Sequence, residues 1–381
     1  MDKTNASFNI KTVITGILAV FCIALTAVLL VNVLFGSGSA EQSAAAAAAD
    51  VSLMDDYNAF IAEEVSNAVE EAKSVKKVFW IDEDALVAPE PNQECYGQTE
   101  DPASLQWLLD EAADLLDGQE TLFSTEVEIY PGSKVTYYLD ETILAITWKQ
   151  VIDDFVYTIS EVKVAHASQF RRYLADGEYG SNSLYTTTEM ASKVNAVVAS
   201  SADYYRGRKY GIVVYDGQVR QVLSGKHMDT CYIDENGDML FTYRGEILDV
   251  ETAQKFVDEN NISFSLAFGP ILIDNGQRCE HESYALGEVN EEYPRAALCQ
   301  KGKLHYLTVV ANGQGSHWEC PTIHVFAAVI DTFGCEKAYT LDGGQTGSIA
   351  MDGKLMNPVQ SGSQRPISDI IYFATAIPDE E

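Results

Sequence analysis

The most informative stretch of this sequence is Leu341-Asp342-Gly343-Gly344-Gln345-Thr346-Gly347-Ser348. It begins at the last residue of a short apolar strand pattern at 338–341. Adjacent glycines allow backbone angles and close approaches that a Cβ would block. A carboxylate at the end of a strand, followed by small and hydroxyl-bearing residues, therefore suits contact between backbone and ligand. An ordinary turn has the same composition, so the surrounding sequence has to decide between these interpretations.

The pattern of an apolar run, a turn and another apolar run recurs from residue 135 onward. Strands are predicted at 135–139, 143–148 and 155–164. Turn pairs typical of β-hairpins stand at Asp216-Gly217, Asn236-Gly237, Asn275-Gly276, Lys301-Gly302 and Asp352-Gly353. Helix patterns occur at 187–194, 251–259 and about 321–333, the first opened by the capping pair Thr186 and Glu189. Hairpins mixed with helices predict an α+β fold, with a largely antiparallel twisted sheet and flanking helices.

An uninterrupted apolar run at 13–35 marks the N-terminal part of the chain. At 1.5 Å per helical residue it is long enough to cross a bilayer core of about 30 Å. Lys3 and Lys11 precede the run and Glu41 is the first charge after it, so the short N-terminus is expected in the cytoplasm. A cleavable signal peptide is the alternative, but its apolar core has only roughly 7 to 15 residues. We therefore favour an uncleaved, single-pass cell-membrane anchor, with the C-terminal domain extracytoplasmic.

Three segments are expected along the chain. Residues 1–36 form a cytoplasmic tail and transmembrane signal-anchor, 37–130 a tether and acidic helical region, and 131–381 the main domain. Gly, Ser and Ala dominate the tether, and helical spacing follows at 52–72 and 104–116. The acidic region is interpreted either as a spacer repelled by anionic polymers or as an ordinary solvated helical face.

Composition limits the function classes. A hydrophobic content of 46% with 10% aromatic residues indicates a globular protein. The formal net charge of −32 argues against nucleic acid as a partner, because phosphate backbones are bound by clustered Lys and Arg. Of the 7 cysteines, Cys22 lies inside the apolar run. The remaining six allow 15 disulfide connectivities or stay as free buried thiols, and the sequence does not choose.

Further segments accompany Leu341-Asp342-Gly343-Gly344 in a fixed order, and together they resemble the phosphodiester glycosidase family. They are Phe268-Gly269-Pro270-Ile271-Leu272 with Asn275-Gly276, Tyr293-Pro294-Arg295-Ala296-Ala297, and Arg365 ahead of Ser368-Asp369-Ile370-Ile371-Tyr372-Phe373. The resemblance covers about 185–376, and 77–172 is similar to bacterial relatives that carry a membrane anchor. It implies that 131–381 is a catalytic domain that hydrolyses a sugar-1-phosphodiester, such as an N-acetylglucosamine-1-phosphodiester.

Hydrolysis of a glycosidic bond needs stabilisation of an oxocarbenium-like charge and a proton for the leaving oxygen, which a pair of carboxyl groups usually provides. A phosphate leaves readily as an anion, so one carboxylate with cationic phosphate ligands can suffice. Asp342 is the first candidate for the catalytic carboxylate, and Asp203 is the second, as acid or base. Tyr205, next to Asp203 in Ser200-Ser201-Ala202-Asp203-Tyr204-Tyr205, is a candidate to stack on the sugar.

Arg295 and Arg365 are the candidate phosphate ligands, because a guanidinium binds phosphate oxygens in a bidentate fork. Structural salt bridges are the alternative for both. The sugar pocket is expected to be shaped by Gly343, Gly344, Gln345 and Thr346. The expected partners are a carbohydrate-phosphate substrate or cell-surface glycopolymer, such as an exopolysaccharide, and the membrane through the N-terminal helix.

Three positions depart from the family pattern. Ser201-Ala202 stands where relatives usually have Asn-Gly, Cys299 where glycine is common, and Thr340 where many have asparagine. The first departure keeps open a non-catalytic glycopolymer-binding or assembly protein on the same fold.

No cofactor is assigned, and a divalent cation stays open. His317, Cys320 and His324 have the spacing of zinc ligands on a helical face, but Pro321 would interrupt such a helix, so loop and core positions are the favoured interpretation.

Overall fold

The computed structural model describes ten stretches of the chain, which are 58–74, 122–130, 133–140, 142–203, 205–207, 211–223, 228–280, 291–313, 320–359 and 362–376. The chain forms two compact units, Met1–Glu63 and Glu64–Glu381. The predicted anchor, the tether and the predicted helix at 104–116 lie outside the described stretches. Among the helices inside them, none combines the length and the apolar character needed to cross a membrane.

Three sheets form the second unit, and all their strand pairs are antiparallel. Sheet 1 has nine strands, in the spatial order β1 (Leu122–Tyr130), β2 (Ser133–Leu139), β3 (Ile143–Ile152), β4 (Phe155–Val164), β15 (His305–Asn312), β14 (Arg295–Gly302), β16 (Lys337–Leu341), β12 (Ile271–Asp274) and β13 (Gln277–Arg278). Sheet 2 has five, β10 (Met239–Thr242), β9 (Thr230–Asp234), β11 (Ile262–Leu266), β7 (Gly211–Tyr215) and β8 (Gln218–Leu223). Sheet 3 has five, β18 (Lys354–Leu355), β17 (Ile349–Met351), β6 (Val198–Ser201), β19 (Asp369–Phe373) and β5 (Phe170–Leu174).

The α-helices of the described residues are α1 (58–74), α2 (Thr187–Lys193), α3 (Val250–Glu259) and α4 (Ile323–Asp331). The capping box predicted for α2 is confirmed, since Thr186 accepts a hydrogen bond from the Glu189 amide and the Glu189 carboxylate accepts from the Thr186 amide. The side chains of Asp249 and Thr322 cap α3 and α4 with one bond each, accepting from the amides of Thr252 and Val325.

The α+β class with antiparallel pairing is confirmed, but the single expected sheet is wrong, because the strands divide among three sheets. Each predicted hairpin is present, as β7–β8, β9–β10, β12–β13, β14–β15 and β17–β18. The fourth turns at 303–304, directly after the predicted pair Lys301-Gly302, which belongs to β14. Local turn signals fix a hairpin, whereas the sheet that a hairpin joins depends on partners far away in sequence. Sheet 1 also begins with β1, ahead of the domain boundary expected at 131.

Sheet 1 is covered on both faces. Alternate residues of β14 belong to different apolar clusters, with Ala297 and Cys299 in one and Ala296 and Leu298 in the other. The first cluster packs against α4 and Ala68 of α1, and the second fills the space between sheet 1 and sheets 2 and 3. Burial on both faces explains why β15 is buried at all eight positions and lacks an alternating pattern.

Helix α4 packs over the first cluster. Phe326→Ala tests how much this packing contributes to the free energy of unfolding. Phe326 is fully buried and lies 6.2 Å from the Tyr157 ring, centroid to centroid. Its truncation is expected to lower the free energy of unfolding by about 3–5 kcal/mol in urea denaturation. Leu248→Ala, at a side chain that is 53% exposed, is the control and is expected to change it by less than about 0.5 kcal/mol. Equal effects would contradict the role of α4 in the core.

Candidate active site

Asp342 lies where sheet 1 meets sheet 3. It follows the last residue of β16, and its amide donates to the Ala202 carbonyl at 2.9 Å, just beyond β6. The Ser201 hydroxyl donates to the Asp342 carbonyl at 3.2 Å. These two bonds tie the backbone of the candidate carboxylate to the end of a strand in another sheet, which fixes its position.

The glycines after Asp342 form a tight turn against the start of β14. The Gly344 amide donates to the Pro294 carbonyl at 2.8 Å, and a Cβ on Gly343 would lie only 2.2 Å from that oxygen. Thr346 donates its hydroxyl to the Gly343 carbonyl and is buried. Glycine at 343 is therefore required by a close approach between two backbone segments, and the Thr346 hydroxyl is used inside the turn.

Asn357 holds the other end of this turn. Its side-chain amide donates to the Gly347 carbonyl at 2.9 Å and to the Asn312 side chain at 3.2 Å, and its oxygen accepts from the Ile349 amide at 2.7 Å. A buried amide with partners on three sides positions the turn on the end of β15 as well as on β14. No motif in the sequence pointed to Asn357.

Arg365 brings a positive charge to Asp342. Its Nη2 lies 3.3 Å from Asp342 Oδ2, and its side chain is 43% exposed, against 10% for Asp342. The Arg365 amide donates to the Gln345 carbonyl at 3.3 Å, so the arginine is anchored on the glycine turn. Asp342, Gly343, Gly344, Gln345 and Arg365 thus form one group, which we call the Asp342 opening.

The backbone of Arg295 lies beside this group, but its side chain points towards Pro321 and Glu291. Ala296 pairs with Leu341, and a Cβ on Gly343 would be 3.4 Å from the Arg295 Cα. The guanidinium donates to the Pro321 carbonyl at 3.3 Å and to the Glu291 carbonyl, and the residue is buried. These contacts hold the segments ahead of β14 and α4 together, so Arg295 has a structural role in this conformation.

Asp203 belongs to a buried cluster with Arg172 and Asp369. Arg172 Nη2 lies 2.8 Å from Asp203 Oδ1 and 2.7 Å from Asp369 Oδ2, and all three side chains are fully buried. Asp203 also accepts from the Tyr205 amide at 2.9 Å and the Ala267 amide at 2.8 Å. The Asp203 carboxylate is thus used by three partners, and the structure does not bring it to the Asp342 opening as a free acid or base.

The charges of this cluster do not balance without a proton. Burial alone would lower the pKa of Arg172, but Asp203 and Asp369 reverse this and raise it, so the guanidinium is charged. Burial raises the pKa of Asp369 from 3.8 to about 8; Arg172 opposes this shift and the charge on Asp203 adds to it. A single cation between two buried carboxyls therefore favours the protonated form of Asp369.

Tyr205 packs inside the domain instead of lining a sugar pocket. Its ring stacks on Tyr179 at 5.5 Å between centroids, and Arg172 Cζ lies 5.5 Å from the same ring. The residue is buried. The structure therefore groups Tyr205 with the Arg172 cluster.

The sequence analysis missed Arg172 and assigned no role to Asp369. Arg172 stands at a buried position of β5, in the pattern Phe170-Arg171-Arg172-Tyr173-Leu174. A charge on the same face as two apolar residues is the signal that could have identified it, since buried charges need partners.

His317, Cys320 and His324, which have zinc-ligand spacing but are interpreted as loop and core residues, are only partly within the described stretches. Groups of three or more His, Cys, Asp or Glu side chains that could hold a metal ion are absent from the described stretches, and His317 lies outside them. Burial raises the pKa of the Cys320 thiol to about 11, so the thiol is protonated at neutral pH. Cys320 is a buried residue just ahead of α4.

Residues 192–374 match the family model described as phosphodiester glycosidase. This part of the chain, slightly less than half of it, is therefore similar to the phosphodiester glycosidase family. The matched residues include the Asp342 opening and both carboxylates of the Arg172 cluster, while Arg172 itself precedes them.

Individual relatives are distant. The chain is 23% identical over 208 residues to the SPbeta prophage-derived uncharacterized protein YomE of Bacillus subtilis (strain 168), which covers 53% of this chain and 31% of that protein. It therefore spans about a third of that relative's length.

Two solved structures align with part of the chain at low similarity. The zebrafish N-acetylglucosamine-1-phosphodiester alpha-N-acetylglucosaminidase catalytic domain, auto-inhibited by its pro-peptide, has 17% identity and a TM-score of 0.48, covering 67% of this chain and 87% of that one. A hypothetical protein from Synechocystis has 15% identity and a TM-score of 0.45, covering 66% and 67%.

The three departures of this chain from the family pattern lie in different surroundings. Ser201 contacts the Asp342 backbone directly, and its hydroxyl also accepts from the Ser348 amide at 3.4 Å. Cys299 and Thr340 are buried inside sheet 1. Ser201 is thus the departure that bears on the Asp342 opening, whereas the other two concern packing.

We expect Gly343→Ala to displace the turn, because its Cβ would lie 2.2 Å from the Pro294 oxygen. Gly344→Ala is the matched control, since it has a φ of +61° but meets nothing within 4 Å, so its cost is the strain of about 1–2 kcal/mol alone. Hydrogen exchange of the residue-344 amide should be fast in Gly343→Ala and protected in Gly344→Ala. Protection in both would show that the Pro294 contact does not hold the turn.

The proton on Asp369 predicts a pH dependence of stability. The unfolded chain releases this proton near pH 4 and the folded protein near pH 8, so folding binds a proton between these values. The cluster's contribution is complete below about pH 4 and falls as pH rises to about 8, by up to about 1.4 kcal/mol per pH unit. Urea denaturation of Asp369→Asn should show a shallower decline than wild type, whereas the exposed control Asp352→Asn should not. Parallel curves for Asp369→Asn and wild type would contradict the shared proton.

Proposed function

We propose that this domain hydrolyses a sugar-1-phosphodiester, with Asp342 as the catalytic carboxylate and Arg365 as the phosphate ligand. The observation that carries the proposal is the pair itself, a carboxylate fixed by backbone bonds and a half-exposed guanidinium 3.3 Å away. The glycine turn beside the pair keeps side chains away from it. A hydrolase of phosphorylated glycosides needs this combination of charges.

The pair is suited to exchanging partners. The Arg365 guanidinium is half-exposed, so water and a bound phosphate can replace Asp342 as its partner, while Asp342 stays in place through its backbone bonds. The guanidinium then takes two phosphate oxygens in a fork, and the Asp342 carboxylate is freed towards the sugar carbon or an attacking water. Because the leaving group is a phosphate, the reaction does not require a second carboxyl acid.

Asp203 is proposed to position the site instead of transferring a proton. Its carboxylate holds Arg172 and two amides, and the adjoining Ala202 carbonyl accepts the Asp342 amide. The Ser201-Ala202-Asp203 segment thus connects the buried cluster to the catalytic carboxylate. Arg295 is assigned to the same positioning function through its carbonyl contacts, because its guanidinium is turned away.

The proposed substrate is an N-acetylhexosamine unit linked through phosphate in a cell-surface glycopolymer. The apolar run at 13–35 supports an extracytoplasmic domain held at the membrane, where such polymers occur. The formal net charge of −32 makes a local cation essential for an anionic substrate, and Arg365 supplies it. The same charge argues against nucleic acid as a partner.

A glycopolymer-binding protein without turnover is the second candidate function. It is favoured by the use of the Asp203 carboxylate inside the Arg172 cluster, which leaves one of the two predicted carboxylates at the opening. The two functions differ in a single measurement, the release of free sugar.

We expect the full-length chain to release N-acetylglucosamine from α-N-acetylglucosamine-1-phosphate methyl ester. Asp342→Asn should lower kcat by about 10²–10⁴-fold with the fold intact by circular dichroism. Arg365→Ala should mainly raise KM and Arg365→Lys should recover part of it, while Asp352→Asn, at an exposed carboxylate outside the site, should change neither.

Turnover retained in Asp342→Asn would remove this residue from the mechanism. Absence of turnover in the wild type on N-acetylglucosamine, N-acetylgalactosamine and mannose 1-phosphodiesters, with binding detected by calorimetry, would favour the binding protein.

A further inference from the structure

A cleft of about 840 Å³ opens between sheets 2 and 3 and has no role in the proposed hydrolysis. Its walls come from β5 and β19 on one side and from β7, β9, β11 and α3 on the other. Tyr372 in this wall is three positions along β19 from Asp369, which is roughly 10 Å. The cleft has the size of a small-molecule or oligosaccharide site.

Tyrosines from three strands line the cleft. Tyr173 of β5 and Tyr215 of β7 are half-buried, and Tyr372 of β19 is buried. A tyrosine offers an apolar ring face together with a hydroxyl, and this combination suits a ligand with a C–H face and polar edges. Pyranose rings have that form. The tyrosines also belong to two different sheets, so the cleft has aromatic groups on opposite walls.

Carboxylates dominate the charged groups around these rings. Asp216, Glu235 and Asp258 are exposed at the cleft, and each has acceptor oxygens for sugar hydroxyl or amine groups. Asp258 is in addition held by the Gln254 side chain at 2.8 Å. Polar acceptors around aromatic faces are the arrangement that orients a polyol.

The cations of the cleft do not offset this charge. Arg172 lines it but is neutralised by Asp203 and Asp369, and burial lowers the pKa of His166, which is neutral at pH 7. Arg171 is exposed and donates through Nε to the Ser168 carbonyl. An excess of negative charge repels an anionic ligand, so this cleft differs in charge preference from the Asp342 opening.

We propose that this cleft binds a saccharide chain without anionic groups, neutral or amine-bearing, at a site separate from the Asp342 opening. The two sites then bind different chemical groups of a glycan. Arg365 binds a phosphate, whereas Tyr173 and Tyr215 bind uncharged or cationic sugar residues. Binding at the cleft does not require hydrolysis, so it can be measured whether or not the proposed reaction occurs.

The test is saturation-transfer difference NMR on the full-length chain with tetraacetylchitotetraose, chitotetraose, maltotetraose, cellotetraose and an anionic heparin tetrasaccharide. We expect transfer to at least one of the first four and none to the heparin fragment. Tyr173→Ala and Tyr215→Ala should each weaken binding roughly tenfold. Tyr243→Ala, at an exposed tyrosine outside the cleft, and Asp342→Asn should leave it unchanged.

Charge reversal gives a second test that leaves the core untouched. Asp216→Lys and Asp258→Lys alter exposed side chains and are expected to weaken binding of the amine-bearing chitotetraose more than that of the acetylated form. The proposal is overturned if none of the four saccharides binds, or if binding survives both tyrosine variants. Loss of binding in Asp342→Asn alone would place the saccharide at the phosphodiester site and equally overturn the proposal, while leaving the proposed hydrolysis intact.

Discussion

The fold of this domain depends on Arg172, a fully buried arginine that lies between two carboxylates. Its guanidinium contacts Asp203 after β6, Asp369 at the start of β19 and the carbonyl of Ser265 in β11. It therefore connects sheet 3 to sheet 2 in the interior. Removing one partner from a buried ion pair costs about 3–5 kcal/mol, because the remaining charge is left without compensation. A second carboxyl beside this single cation is tolerated because burial and the charge on Asp203 raise the pKa of Asp369, which favours its uncharged form.

The position of Asp342 depends on the Arg172 cluster. Ala202, next to Asp203, accepts the Asp342 amide, and Ser201 donates to the Asp342 carbonyl. The catalytic candidate in sheet 1 is thus held by the loop that the buried arginine fixes in sheet 3. An exposed turn alone would leave Asp342 mobile, whereas this arrangement supports the placement that a catalytic carboxylate needs. Asp203 and Arg172 matter to the proposed reaction through this support.

The strong acidity of the chain is compatible with the proposed recognition of phosphorylated glycans because charge is distributed unevenly. Arg365 is half-exposed at the Asp342 opening, whereas carboxylates surround the cleft between sheets 2 and 3. Electrostatic fields act locally at physiological salt, where the Debye length is about 8 Å. An anionic group is thus favoured at one place and excluded at another on the same domain.

The sequence by itself determined the elements with local causes. The hairpin turns, the capping box of α2 and the glycine turn after Asp342 depend on neighbouring residues, and each is present. It also identified the similarity to the family and the Asp342, Gly343, Gly344, Gln345 and Arg365 group, because these residues carry its motifs. The tertiary structure alone decided that the strands divide into three sheets, that Asp203 and Tyr205 pack around Arg172, and that Arg295 turns towards Pro321. Each of these outcomes depends on contacts between distant parts of the chain, and the direction of a long or charged side chain follows from the partner that burial brings to it.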